Sequence, residues 1–203
     1  MNDLRELLAH RRMVRHYEPD PIPHEVLARI AETVRRAPSG GYSQGQRLVV
    51  VTERATRERI AELAGEPERL AEGFEPWLSA APAHVIVCAR EEDYHERYRR
   101  PDKLQDGEEI DWPAPFWFVD AGAAMMLVLL AAADEGLGAG VYGVPVDAMA
   151  AFKELLAIPD DVAVVAGVTI GRAAPDPRWS EVTSRRTRPR RPFSESIRWE
   201  RWE

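Results

Sequence analysis

A single cysteine in 203 residues leaves no partner for an intrachain disulfide. Cys88 lies in His84-Val85-Ile86-Val87-Cys88-Ala89, the pattern of a buried strand. A structural thiol is expected there, and a reducing, cytoplasmic compartment suits it. Long hydrophobic runs are also missing. The longest, Ala121 to Ala133, is bounded by Asp120 and Asp134-Glu135 and falls short of the ~20 residues that span a bilayer. A core helix is expected, with no membrane partner. The opening Met1-Asn2-Asp3-Leu4-Arg5-Glu6 lacks the basic-then-apolar order of a secretory leader. Five histidines (His10, His16, His24, His84, His95) show no metal-ligand spacing, and neither Cys-x-x-Cys nor His-Glu-x-x-His occurs, so no metal is expected. No Gly-x-x-x-x-Gly-Lys-Ser/Thr is present, and Gly136-x-Gly138-x-Gly140 follows a helical run where a dinucleotide fingerprint would follow a strand. Gly41-Tyr42-Ser43-Gln44-Gly45 has the letters of a nucleophile elbow, but it precedes a strand, which is the wrong context.

A net charge of −7 argues against a general nucleic-acid partner. A hydrophobic content of 45% is enough for one substantial core, and neither a repeat nor an internal boundary divides the chain. It reads as one domain over 1–203. Asn2 or Asp3 can cap a helix to about His10. Tyr17-Glu18-Pro19-Asp20-Pro21-Ile22-Pro23 excludes regular structure and predicts an extended arm. Val26, Leu27, Ile30, Ala31 and Val34 fall at helical spacing between His24 and Arg36. Arg54–Ala64 and Glu68–Ala80 read as helices broken by Gly65-Glu66-Pro67. The stretches Leu48–Val51 and Val85–Ala89 are apolar without alternation, which places both centrally in a sheet covered on two faces. A nearly apolar helix runs from about Val119 to Glu135. Asp147 caps another to Leu156, and Val162–Ile170 is the third clear strand. Polar residues 91–111, followed by Trp112, Phe116, Trp117 and Phe118, form either a solvated excursion or a mobile lid at about 91–116.

Two features carry chemistry. Arg11, Arg12 and Arg15 cluster at a helix-to-loop junction, and Arg185-Arg186-Thr187-Arg188-Pro189-Arg190-Arg191-Pro192 forms a second basic run. Guanidinium forks suit phosphate, and a single bound phosphomonoester accounts for two small clusters more economically than nucleic acid. The other feature is Ala37-Pro38-Ser39-Gly40-Gly41-Tyr42-Ser43-Gln44-Gly45-Gln46 before an apolar strand. Its Gly-Gly pair permits close approach of a flat ligand, with Ser39, Ser43 and Gln44 alongside. A plain helix-to-strand connection would look the same.

In this order, Arg11-Arg12-Met13-Val14-Arg15, Ile22-Pro23, the Ala37–Gln44 loop, Asp134-Glu135-Gly136-Leu137-Gly138 and Arg190-Arg191-Pro192 resemble the FMN-dependent nitroreductase superfamily over almost the whole chain. The resemblance implies an α+β three-layer sandwich, its central sheet mostly antiparallel and flanked by helices. It implies a domain-swapped homodimer with exchanged terminal arms and FMN at the interface. By position, Arg11, Arg12, Met13, Arg15, Arg188 and Arg190 would lie at the FMN phosphate and ribityl group. Pro38, Ser39, Gly40, Tyr42 and Gln44 would reach the ring from the opposite subunit, and Val141, Tyr142 and Gly143 would lie against it. Tyr94, His95, Arg97, Tyr98 and Lys103 are candidate substrate contacts from the lid. The implied activity is NAD(P)H-driven reduction of a flat, electron-poor nitroaromatic or quinone. Met13 replaces a small hydroxyl or acid, Tyr42 an asparagine, and Gly45-Gln46 a Pro-Trp or Pro-Arg pair. An aromatic at 42 is closer to the subgroup of the flavin-fragmenting benzimidazole synthase and the dehalogenases. Oxygen-dependent FMN breakdown, reductive dehalogenation and non-enzymatic flavin binding therefore stand as alternatives.

Overall fold

The computed structural model describes residues 3–175 and 190–202. Four strands form the sheet among them: β1 Gln46–Val51, β2 Ala83–Arg90, β3 Gly138–Tyr142 and β4 Val162–Gly171. Their spatial order is β1-β2-β4-β3, and every neighbouring pair is antiparallel. Helices are α1 Leu4–His10, α2 His24–Glu32, α3 Arg54–Leu63, α4 Glu66–Ala71, α5 Glu92–Tyr98, α6 Phe116–Asp134, α7 Met149–Leu155 and α8 Phe193–Ser196.

Strand pleating sorts β2 onto two faces. Val85, Val87 and Ala89 join Ile30, Tyr94, Trp117, Ala121 and Val128 beneath α2, α5 and α6. Ile86 and Cys88 join Val51, Ile60, Phe152 and Val162 beneath α3 and α7. The result is the expected three-layer sandwich. Burial pushes the Cys88 thiol up to about 11, which makes it an inert core residue. Helix α6 is 19 residues long with a mean hydropathy of 2.0, long and apolar enough by composition to cross a membrane. Here it is packed on the sheet, burying Trp117, Asp120, Ala121, Ala124, Val128, Leu129 and Ala132. Apolar length alone does not separate a span from a core helix.

Three expectations need correcting. β1 is an edge strand, not a central one, and Val50 is 40% exposed. An all-apolar run was no guide here because its outer side chains are only partly covered. Second, Gly65-Glu66-Pro67 begins α4, with Pro67 in its first turn, and the helix stops at Ala71. Beyond Ala71 a loop folds back on Glu66, whose buried carboxylate accepts from the backbone N–H groups of Trp77, Leu78 and Ser79. Those bonds satisfy the donors that a continuing helix would have used. Third, Gly136-x-Gly138-x-Gly140, read above only as following a helical run, supplies the start of a strand, β3. Gly138 and Gly140 are needed because Val14 of the N-terminal arm presses on them. A Cβ at Gly138 would lie 2.6 Å from Val14 Cγ2, and one at Gly140 would lie 2.5 Å from Val14 O.

That arm runs beside the sheet. Met13 bridges Ala139 in parallel, the Val14 N–H donates to Ala139 O at 2.8 Å, and the Glu18 N–H donates to Arg172 O at 2.9 Å. Tyr17 is buried, and its hydroxyl bonds Val14 O and Thr169 Oγ1, each at 2.7 Å.

His84 is wholly buried, with Nδ1 2.7 Å from the Tyr142 hydroxyl and Nε2 2.9 Å from Leu78 O. The carbonyl can only accept, so Nε2 carries the proton and Nδ1 accepts from the tyrosine. Burial lowers its pKa from 6.5 to about 4. In the unfolded chain the imidazole protonates first as pH falls, so stability is full above about 6.5. It then declines by about 3 kcal/mol as pH drops to about 4. Urea melts of the wild type and His84→Gln across that window are expected to show a shallower acid slope in the variant.

Candidate functional site

Arg11, just beyond the end of α1, opens onto a recess of about 390 Å³ lined by Glu6, His10, Arg11, Arg12, Leu137 and Gly138, among others. Arg11 Nε and Nη1 are buried and have no hydrogen-bond partner. Buried donors without an acceptor are costly, and an anion drawn to the Arg11 side chain would offer acceptors to both. Arg12 is exposed on the same rim. Arg15 is held by cation–π contact 5.3 Å from the Trp77 ring, while Met13 is 44% exposed. Arg190 is exposed. Arg188, Arg185 and Arg186 lie outside the described residues.

The glycine loop lies elsewhere, between α2 and β1, where Gly40–Tyr42 makes a 3-10 turn. Gly41, Tyr42 and Gln44 all have positive φ, at 58°, 62° and 55°, and the two non-glycine residues are strained by about 1–2 kcal/mol each. A set of bonds holds the strain. The Gln44 N–H donates to Ser39 Oγ at 2.9 Å, Ser43 Oγ to Gly40 O at 2.6 Å, and Gln46 Nε2 to Pro38 O at 2.9 Å. Arg97 Nε donates to Gly41 O at 2.9 Å, and the Arg90 N–H to Gly45 O at 2.9 Å. The Gly40 N–H donates to Asp120 Oδ2 at 2.8 Å. Tyr42 stands 75% exposed on this frame.

The glycines face inward. A Cβ on Gly41 would come within 2.6 Å of the Tyr98 ring, and one on Gly45 would collide with the Tyr94 ring and lie 2.8 Å from Arg90 O. Their bareness serves close packing against α5, a contact that spacing along the chain does not reveal.

Residues 91–116 carry α5 and then turns, pinned by aromatic contacts. Tyr98 lies 4.5 Å from Trp112 and Lys103 caps the Tyr98 ring at 5.4 Å. His95 bonds Glu109 and lies 3.4 Å from Glu91, and the Glu109 contact raises its pKa. Arg97 forms a two-point pair with Asp102. Tyr94 is fully buried and bonds Asp120, so its side chain belongs to the core. Burial, then Asp120, raises its pKa. On β3, the Tyr142 side chain is also buried, turned toward His84, and Val141 and Gly143 flank it. Two residues escaped the sequence reading: Asp120, which looked like a helix boundary, and Trp77, which looked like helix face. Among the described residues, no group of three or more His, Cys, Asp or Glu side chains is arranged to hold a metal.

A recess lined by Arg11 and Arg12 beside β3 and, elsewhere, a strained polar loop are set on an α+β sandwich. The sequence matches the Nitroreductase family over residues 8–172, and the chain belongs to it. It is 30% identical over 178 residues to FMN reductase [NAD(P)H] of Bacillus subtilis, covering 86% of this chain and 67% of that one. Over 60 residues, 30% of this chain and 20% of the other, it is 37% identical to iodotyrosine deiodinase of Danio rerio. Among solved structures, NfrA2 of B. megaterium shares the fold at a TM-score of 0.75 and 22% identity, covering 100% of this chain and 76% of that one.

Proposed function

We propose that this protein is an FMN-dependent oxidoreductase that takes electrons from NAD(P)H and passes them to a small, flat, electron-poor acceptor such as a nitroaromatic or quinone. The observation that carries the reading is the pair of buried, unpartnered Arg11 nitrogens in a recess of phosphate-accepting character. Arg11 and Arg12, with Arg15, Arg188 and Arg190, would hold the phosphate. Pro38, Ser39, Gly40, Tyr42 and Gln44 of a second copy would border the ring. The backbone of Val141–Gly143 would orient its other edge, with Met13 at the ribityl side. FMN, when bound, supplies the hydride chemistry. The protein binds, orients and excludes water.

A homodimer is part of this reading. Phe116, Phe118 and Val119 at the start of α6 are exposed in the single chain, as is Leu4 of α1. A partner surface would cover them. His95, Arg97, Tyr98 and Lys103 would contact the acceptor from a lid, with Tyr94 anchoring it from below. The buried lone cysteine supports a cytoplasmic location. The iodotyrosine deiodinase relative favours reductive dehalogenation as a second reading of the acceptor step.

The deciding experiment is the absorption spectrum of the purified protein, followed by anaerobic titration with NADH and NADPH. A yellow protein bleached stoichiometrically by either nucleotide is expected. A colourless protein that gains no FMN on incubation overturns the proposal.

A further inference from the structure

We propose that Asp120 is a positioning residue that sets the glycine loop for the flavin ring, an inference that rests on the FMN reading. Asp120 lies in the second turn of α6 and is only 7% exposed. A single carboxylate oxygen, Oδ2, accepts from both the Gly40 N–H and the Tyr94 hydroxyl, each at 2.8 Å. Among the described residues no cation pairs with this carboxylate. A nearly buried carboxylate without a cation is an expensive way to fill a core position, and what it holds is the loop.

The three-way junction explains how the loop keeps its shape. Gly40 is the first residue of the 3-10 turn, and the next residues at positive φ, Gly41, Tyr42 and Gln44, cannot relax while its N–H is fixed. Tyr94 is fully buried, and its ring sits where any side chain at Gly45 would go. The same tyrosine therefore supports the loop at both ends, by its hydroxyl through Asp120 and by its ring under Gly45. Arg97, three residues along α5, fixes Gly41 O. α5 and α6 thus act together as a mould, and Asp120 is the point where they meet the loop backbone. With the mould intact, Tyr42 and Gln44 project outward in one arrangement. Without it, the strained residues revert to ordinary backbone angles and the outward groups lose their common orientation.

An acceptor oxygen at this point is what matters, so an amide should serve as well as a carboxylate. The test is binding of FMN and riboflavin to the wild type, Asp120→Ala, Asp120→Asn and Tyr94→Phe, with visible circular dichroism of the bound flavin. Arg11→Ala is the control. Asp120→Ala is expected to lose at least tenfold in affinity for both flavins and to change the visible dichroism, because the defect lies at the ring. Asp120→Asn should restore affinity to within threefold, since one amide oxygen can accept both donors. Tyr94→Phe keeps the ring and loses one donor, so it should fall between them, and it serves if Asp120→Ala does not fold. Arg11→Ala should lose FMN and keep riboflavin. Wild-type affinity and dichroism in folded Asp120→Ala and Tyr94→Phe would overturn the proposal. So would an Asp120→Asn defect equal to that of alanine. A wild-type protein that takes up neither flavin would instead overturn the flavin reading itself, and this one with it.

Discussion

Arg11→Ala is expected to weaken FMN binding about 100-fold while leaving riboflavin affinity unchanged. Nε and Nη1 are buried without partners, so a phosphate arriving there meets two donors that surrender no existing bond. Charge-assisted bonds to a preorganised guanidinium contribute about 1.5–3 kcal/mol each. A loss of about 3 kcal/mol corresponds to two decades in affinity. Riboflavin lacks the phosphate and so reports on the ring alone. The apo protein should melt at nearly the same temperature, because the substitution breaks no hydrogen bond of Nε or Nη1. Quenching titrations with both flavins, beside melts of the apo protein, check all three outcomes. An equal loss for FMN and riboflavin would move the phosphate away from Arg11.

Gly167→Ala is expected to be the most destabilising single methyl addition in the sheet. Gly167 lies in β4, opposite Ile86 of β2 and Tyr142 of β3. Its Cβ would enter the Tyr142 ring, meeting Cζ, Cε1 and the hydroxyl. The ring has nowhere to go. Its hydroxyl is tied to His84 at 2.7 Å, and its edge packs on Trp77 with centroids 6.2 Å apart. Overpacking of a close-packed core costs about 1–3 kcal/mol, more where neighbours cannot shift. A value of about 3 kcal/mol would lower the melting temperature by roughly 10 °C at this chain length. Adding Tyr142→Ala should make the pair much less damaging than the sum of the singles, since the two share one volume. Strict additivity in thermal melts would show that the clash is relieved elsewhere.

Helix positions were largely legible in the sequence, because periodicity and capping are local. Asp3 does cap α1, accepting from the Arg5 N–H at 3.0 Å, and α6 extends only three residues before its expected start at about Val119. Strand placement was less legible. Whether an apolar run is central or at an edge depends on partners far away in the chain, and β1 and β2 look alike until β4 chooses β2 as neighbour. β3 was hidden because glycines are poor strand formers, and the pressure from Val14 that demands them is a tertiary fact. At the site, the arginine cluster could be read directly, since charge next to a junction is itself the signal. The glycine loop was noticed for a reason that the packing revises: Gly41 and Gly45 make room for Tyr98 and Tyr94. Asp120 gave no signal at all, because an acid in the first turns of a helix is ordinary. Only its two donors distinguish it.

The N-terminal arm has a consequence for assembly. β3 is one margin of the sheet, and its Gly138 and Gly140 have no side chains to shield their peptide groups. Within residues 13–18, Val14 hydrogen-bonds Ala139 on that margin, and Glu18 bonds Arg172 just beyond β4. Arg11 and Arg12, which line the recess, immediately precede that strip, and Val14 of the strip lines the recess too. Were the strip to peel away, the recess would lose Val14 from its lining and the β3 backbone would be uncovered, a template for strand addition by another chain. Lining the recess and covering the outer edge of β3 are, in this protein, tasks of the same short stretch of chain.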